Sequence, residues 1–179
     1  MVELILLFIL LAIPMGAHFG WWLVVCLLII APGVYALVTG VQYFPTFKQT
    51  MERMLHLADI KKGERVYDLG SGDGRFVFAA ARKGAKATGY ELSVPLFIYS
   101  KFVSFFIPRS YIHFRNFWKQ DYRDADVIFC FLLISLMQRF EKEVWPTLKP
   151  GTRVISHSFK MKGVKPVQED EDAVLYVKE

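Results

Sequence analysis

The chain has 179 residues, 54% of them hydrophobic, with 22 basic and 17 acidic side chains and a net charge of +5. That length holds one ordinary domain plus a short extra segment, and the hydrophobic share excludes a disordered or low-complexity chain. Two cysteines, Cys26 and Cys130, exclude a disulfide framework, and His18, His56, His113 and His157 lack ligand spacing, so no metal site is expected.

Charge is unevenly placed. Residues 1–47 carry one charged side chain, Glu3, which leaves +6 on residues 48–179. Residues 21–38 hold no charge, and the apolar run continues to Val41. About 20 apolar residues span a bilayer, and Trp21, Trp22 and Tyr43 suit its two interfaces. Residues 2–13 are also apolar and precede Pro14 and Gly16, so one span and a two-span hairpin are both open. A signal peptide fits less well, because a basic leader is missing and the apolar stretch is too long. Residues 1–42 are therefore expected to be a membrane anchor, with residues 43–179 as a separate domain. Lys48, Arg53, Lys61 and Lys62 follow closely, which marks the cytoplasmic side. The expectation is an integral membrane protein with its domain on that side and the lipid bilayer as a partner.

The rest of the chain alternates helix and strand. Met51, Met54, Leu55 and Ala58 recur at helical spacing, and Lys61-Lys62-Gly63 ends that helix. Residues 65–68 read as a strand, followed by a glycine turn and a helix over 75–83 that Gly84 stops. A second strand spans 87–91, a helix 94–107 and a third strand 111–114. Residues 126–132 are a continuous apolar run, as for a strand covered on both faces. A helix over 136–145, a turn at Lys149-Pro150-Gly151 and a strand over 153–156 follow. Residues 164–167 and 173–177, around an acidic loop, read as a closing hairpin. Repeated strand–helix units predict an α/β, Rossmann-like doubly wound sheet, mostly parallel.

The helix over 94–107 is apolar nearly all round, whereas a helix on a sheet normally keeps one polar face. It either lies beneath the rest of the domain or meets the bilayer, the anchor or another protomer of a homo-oligomer.

The turn Gly70-Ser71-Gly72-Asp73-Gly74-Arg75 carries the chemistry. Its layout is that of a nucleotide-binding loop, but a dinucleotide fingerprint requires glycine where Arg75 stands. Asp73 puts a carboxylate where a pyrophosphate would sit, and like charges there repel by several kcal/mol, roughly. A ligand with a cationic amine and sulfonium fits instead, and S-adenosylmethionine is such a ligand. Gly70, Gly72 and Gly74 allow close backbone approach. Asp68 and Asp73 are candidates for the methionine amine, and Glu91, at the end of the second strand, for the ribose hydroxyls.

Six stretches match one family in order: Tyr43-Phe44-Pro45-Thr46, residues 51–55, residues 67–75, Gly89-Tyr90-Glu91-Leu92, Phe117-Trp118-Lys119 with Asp121, and residues 150–157. On these the chain resembles class I, seven-strand S-adenosylmethionine-dependent methyltransferases. Within them it resembles the small membrane-anchored family of the mitochondrial adenine nucleotide translocase and ATP synthase c-subunit lysine methyltransferases and their prokaryotic relatives. The resemblance implies S-adenosylmethionine as cofactor, with Thr46, Asp68, Gly70, Ser71, Gly72, Asp73, Gly74 and Glu91 around it and Asn116, Phe117 and Trp118 bordering the adenine. Many relatives have an acid at Asn116; the amide still offers a donor and an acceptor.

Lysine is protonated near pH 7, so the acceptor side must desolvate it or take a proton. Tyr43, Ser135 and His157 are the catalytic candidates. Ile134 and Ser158 depart from the prokaryotic pattern, which leaves the acceptor open. The expected activity is N-methylation of a lysine of a membrane protein. Methylation of a lipid or small-molecule amine and a non-catalytic cofactor-binding module are the alternatives. Nucleic acid is not an expected partner, since the basic residues form no patch interleaved with aromatics.

Overall fold

The computed structural model describes Cys26 and residues 48–179. Seven strands form one sheet: β1 (Arg65–Leu69), β2 (Lys86–Glu91), β3 (Ser110–Phe114), β4 (Val127–Cys130), β5 (Arg153–His157), β6 (Gln168–Asp170) and β7 (Ala173–Val177). Their order across the sheet is β3-β2-β1-β4-β5-β7-β6. The first five pair in parallel, and β7 runs antiparallel between β5 and β6. The helices are α1 (Lys48–Leu57), α2 (Arg75–Arg82), α3 (Val94–Ser104) and α4 (Ile134–Glu143).

Two apolar layers sandwich the sheet, because alternate residues of each strand point to opposite faces. On one face Val66, Ala87, Val127, Phe129 and Ile155 pack against Met54 and Leu55 of α1 and Phe76, Val77 and Ala80 of α2. On the other, Leu69, Ile128, Cys130, Val154 and Tyr176 pack against Met137 and Phe140 of α4. β4 is buried along its whole length, which explains its unbroken apolar sequence.

Several boundaries differ from expectation. β4 ends at Cys130, so Phe131 and Leu132 belong to the loop at the open end of the sheet. α4 begins at Ile134, which puts Ser135 inside a helix and exposed, not in the loop before it. The first strand of the hairpin is Gln168–Asp170 rather than 164–167. Pro166 lies in the expected stretch and has no N–H to give a ladder. α3 stops at Ser104, short of the expected 107.

The expected anchor and spans over residues 1–42 lie outside the described residues, as do Tyr43 and Thr46. Among the described residues no helix is long and apolar enough to cross a membrane. The longest, α3, has 11 residues. At 1.5 Å per residue that is about 16 Å, against a hydrocarbon core of about 30 Å. The expectation of an integral membrane protein is corrected accordingly.

Candidate functional site

The site lies at the carboxyl ends of β1, β2, β4 and β5, where ligands bind in open α/β sheets. β1 leaves the sheet at Leu69 and the chain turns through Gly70 and Gly72, both with positive φ (86° and 54°), into Gly74 (φ 84°) at the N-terminus of α2. A Cβ at Gly74 would sit 2.5 Å from the Phe78 ring, so only glycine fits this turn. The amides of Gly70 and Ser71 donate to the Tyr90 carbonyl at 3.1 and 2.9 Å, which ties the loop to the end of β2.

Glu91 completes that tie. One carboxylate oxygen accepts from the Gly72 amide at 2.7 Å. The other accepts from Leu92 and Ser93 at 2.8 and 2.6 Å. Glu91 is buried. Three N–H donors hold it there as a fixed acceptor, and a carboxylate has further lone pairs for ribose hydroxyls.

Asp68 is the unusual group. It is buried at 6% exposure, and among the described residues nothing donates a hydrogen bond to its carboxylate. Burial, then the nearby Glu91 and Asp73 carboxylates, push its titration up to about 8 from 3.8. A buried acid without a partner, ringed by other acids, is a place for a cation. The Ser71 hydroxyl beside it is also buried and unpartnered. Asp73 is engaged: its carboxylate takes a bidentate pair from Arg75, at 2.9 and 2.6 Å. Asp73 is thus already paired, whereas Asp68 is not.

The adenine candidates are partly occupied as well. The Asn116 side-chain oxygen caps the short 3-10 turn Phe117–Lys119 by accepting from the Trp118 amide at 2.9 Å. Its amide NH2 remains as a donor to a ring nitrogen. Phe117 is buried in the second apolar layer, and the Arg139 guanidinium lies 4.2 Å from the Trp118 ring centre. One face of that indole is taken.

On the acceptor side, His157 ends β5. Asp68, Phe129 and Ile155 are register partners across β1, β4 and β5. Alternation puts His157, two residues beyond Ile155, on the same face as Asp68 and about 10 Å sideways, two strand spacings away. Its ring packs edge-to-face on Phe131 at 4.2 Å, and its Nδ1 is buried without a hydrogen bond. Burial lowers its pKa, only partly offset by Asp172. The imidazole is thus neutral at pH 7 and able to accept a proton. Asp172 is in turn reached by the Thr50 hydroxyl of α1 at 3.4 Å.

Three residues of this site escape a reading of the sequence. Gly89 has no room for a side chain: a Cβ there would lie 2.6 Å from Ser71. Phe131 is hidden in an apolar run, and Asp172 in an acidic loop. Among the described residues no group of three or more metal-binding side chains occurs.

Comparison with known proteins gives a consistent family. Residues 68–168 match the family described as the ANTKMT methyltransferase domain. A protein-lysine N-methyltransferase of Saccharolobus islandicus (strain REY15A) is 34% identical over 134 residues, 72% of this chain and 83% of that protein. The ATP synthase c-subunit lysine N-methyltransferase of Mus musculus is 31% identical over 123 residues, 65% of this chain; the match spans 48% of that protein's length. A crystal structure described as an RNA methyltransferase from Salinibacter ruber in complex with S-adenosyl-L-homocysteine is 31% identical. It has a TM-score of 0.71 and covers 75% of this chain and 94% of that one.

Proposed function

This chain belongs to the ANTKMT methyltransferase domain family, and on that premise we propose that it transfers the methyl group of S-adenosylmethionine to the side-chain amine of a protein lysine. It is an S-adenosylmethionine-dependent methyltransferase. The observation that carries the cofactor reading is the buried, unpartnered Asp68 carboxyl at the end of β1.

Asp68, on giving up its proton, would hold the cofactor's amine. The glycine turn would let backbone amides approach, Glu91 would accept from the ribose hydroxyls, and the Asn116 NH2 would donate to the adenine. When bound, the cofactor supplies a methyl group already activated by its sulfonium. The chain's remaining task is to deliver a neutral amine in line with it. His157, neutral and half-buried, takes the proton from the lysine, and the Phe131 ring beside it suits the aliphatic stem of that side chain. Ser135, exposed on α4, is dropped from this reading.

Lysine as acceptor is supported by the Saccharolobus relative, most of whose length this chain covers. The finer reading, a lysine of a membrane protein, is supported by the mouse relative, whose name gives the ATP synthase c-subunit as its substrate. The Salinibacter structure favours RNA as a second reading. Incubating the purified protein with cell extract and methyl-labelled S-adenosylmethionine, then separating protein, lipid and RNA, tests these together. Label in protein, recovered as methyl-lysine after hydrolysis, is the expected result. Label confined to RNA or lipid overturns the acceptor, and absence of both label and cofactor binding overturns the enzyme.

A further inference from the structure

α3 keeps much of its apolar surface away from the core. Towards the sheet it turns Ser100 and Ser104, both buried, with Phe97 and Val103 packed partly buried beside them. The serine hydroxyls are satisfied within the helix, by the Leu96 carbonyl at 2.7 Å and the Lys101 carbonyl at 2.8 Å. Outward, at positions i, i+4 and i+7, stand Ile98, Phe102 and Phe105, which are 60, 67 and 85% exposed. Phe106 follows at 66%. Phe106 meets Phe102 and Phe105 edge-to-face, each at 5.4 Å, so the rings pack on one another rather than on the core. Phe114, at the end of the edge strand β3, is itself 48% exposed and meets Phe97 at 5.4 Å. A soluble domain rarely leaves so many contiguous large apolar side chains in water without a use for them.

Charge identifies the occupant. Between Leu92 and Gln120 there is no acidic residue, and Lys101, Arg109, Arg115 and Lys119 are all exposed. Lys101 lies on the apolar stripe itself, three residues past Ile98 and four before Phe105. Aromatic and aliphatic groups mixed with basic ones, on a short helix, are the composition that settles into the headgroup layer of an anionic membrane. A second copy of this chain is disfavoured, because a two-fold contact sets the same patch against itself and would bring like charges together with no acid to answer them. Single-stranded nucleic acid is disfavoured because its bases need unobstructed ring faces, and the edge-to-face contacts of Phe106 with Phe102 and Phe105 obstruct part of them.

We propose that α3, the turn after it and the end of β3 form a surface that seats in the interface of a membrane rich in anionic lipid. The contact is peripheral: this helix lies in the headgroup plane and does not itself cross the bilayer. The lipid-facing stripe is Ile98, Phe102, Phe105 and Phe106, and Lys101 and Arg115 answer the headgroup phosphates.

The test uses the full chain with Cys26→Ser and Phe105→Cys, labelled at position 105 with a polarity-sensitive fluorophore; Cys130 is buried and stays unlabelled. A probe at this one position reads the patch itself, whatever other parts of the chain do. Vesicles of phosphatidylcholine with phosphatidylglycerol should shift its emission to the blue, and pure phosphatidylcholine vesicles should do so far more weakly. Adding Lys101→Gln or Arg115→Gln should weaken the response to anionic vesicles about fivefold per charge removed. No shift with anionic vesicles, or an equal shift with neutral ones, overturns the proposal. So does a shift without vesicles that grows with protein concentration, which means self-association, or one produced by an RNA oligonucleotide alone.

Discussion

Asp68→Asn separates stability from function in a direction opposite to most active-site changes. In the unfolded chain the carboxyl loses its proton near pH 3.8, whereas in the fold it holds it up to about 8. Between those values the native state carries a proton that the unfolded state has released. Stability from this group is therefore complete below about pH 4, falls as pH rises through the window and levels off above pH 8. Each pH unit in the window is worth about 1.4 kcal/mol. The loss reaches roughly 4 kcal/mol at pH 7 and at most about 6 kcal/mol above pH 8. Asparagine has the same shape and stays neutral, so it removes the pH-dependent loss. Urea denaturation of the cofactor-free protein and the variant at pH 5, 6, 7 and 8 reads the difference directly. The variant should be the more stable, by a margin that widens by about 3–4 kcal/mol from pH 5 to pH 8, while binding S-adenosylmethionine far more weakly. A margin that stays constant with pH would refute the assignment of an unpartnered buried acid at this position.

Other changes test the rest of the site. Glu91→Ala strands the amides of Gly72, Leu92 and Ser93. It should lower stability by about 2–4 kcal/mol and abolish cofactor binding, read by thermal melts with and without S-adenosylhomocysteine. Gly89→Ala pushes a methyl group against Ser71; a loss of about 1–3 kcal/mol with weakened cofactor binding is expected, whereas an unchanged melting temperature would mean that the loop yields freely. His157→Gln should leave cofactor affinity unchanged and lower kcat by about 100-fold or more. A decrease below tenfold at every pH would remove it as the proton acceptor. Because burial lowers the His157 pKa, the wild-type protein should keep that group active somewhat below pH 6.5.

The parallel core of the fold is legible in the sequence because its signals are local. A β-strand run, three glycines and a helix at Arg75 fix β1 and α2, and Glu91 follows from its distance to that loop. The end of β4 is not legible, because residues 126–132 are apolar throughout and sequence alone cannot say where a buried strand leaves its sheet. The place of Phe131 is hidden for that reason, and that of Ser135 with it, since α4 starts two residues earlier than its pattern predicts. The first strand of the hairpin escapes because its residues, Gln168–Asp170, are polar and exposed, and pairing with β7 alone holds them. The all-round apolarity of α3 is visible in the sequence, but its sense is not. Only the structure shows Ser100 and Ser104 turned inward and Phe102 and Phe105 outward. The difference between a paired Asp73 and an unpaired Asp68 is equally hidden, because it depends on Arg75 folding back onto Asp73.

Proton counting during cofactor binding bears most directly on the claim that a buried acid in this crevice receives a cationic methyl donor. S-adenosylhomocysteine carries the same amine, and its binding at pH 7 can be followed by calorimetry in buffers of different ionisation enthalpy. With Asp68 titrating at about 8, close to one proton should leave the wild-type protein for each ligand bound, and none should leave Asp68→Asn. Tight binding without proton release, or equal affinity in the variant, would contradict it.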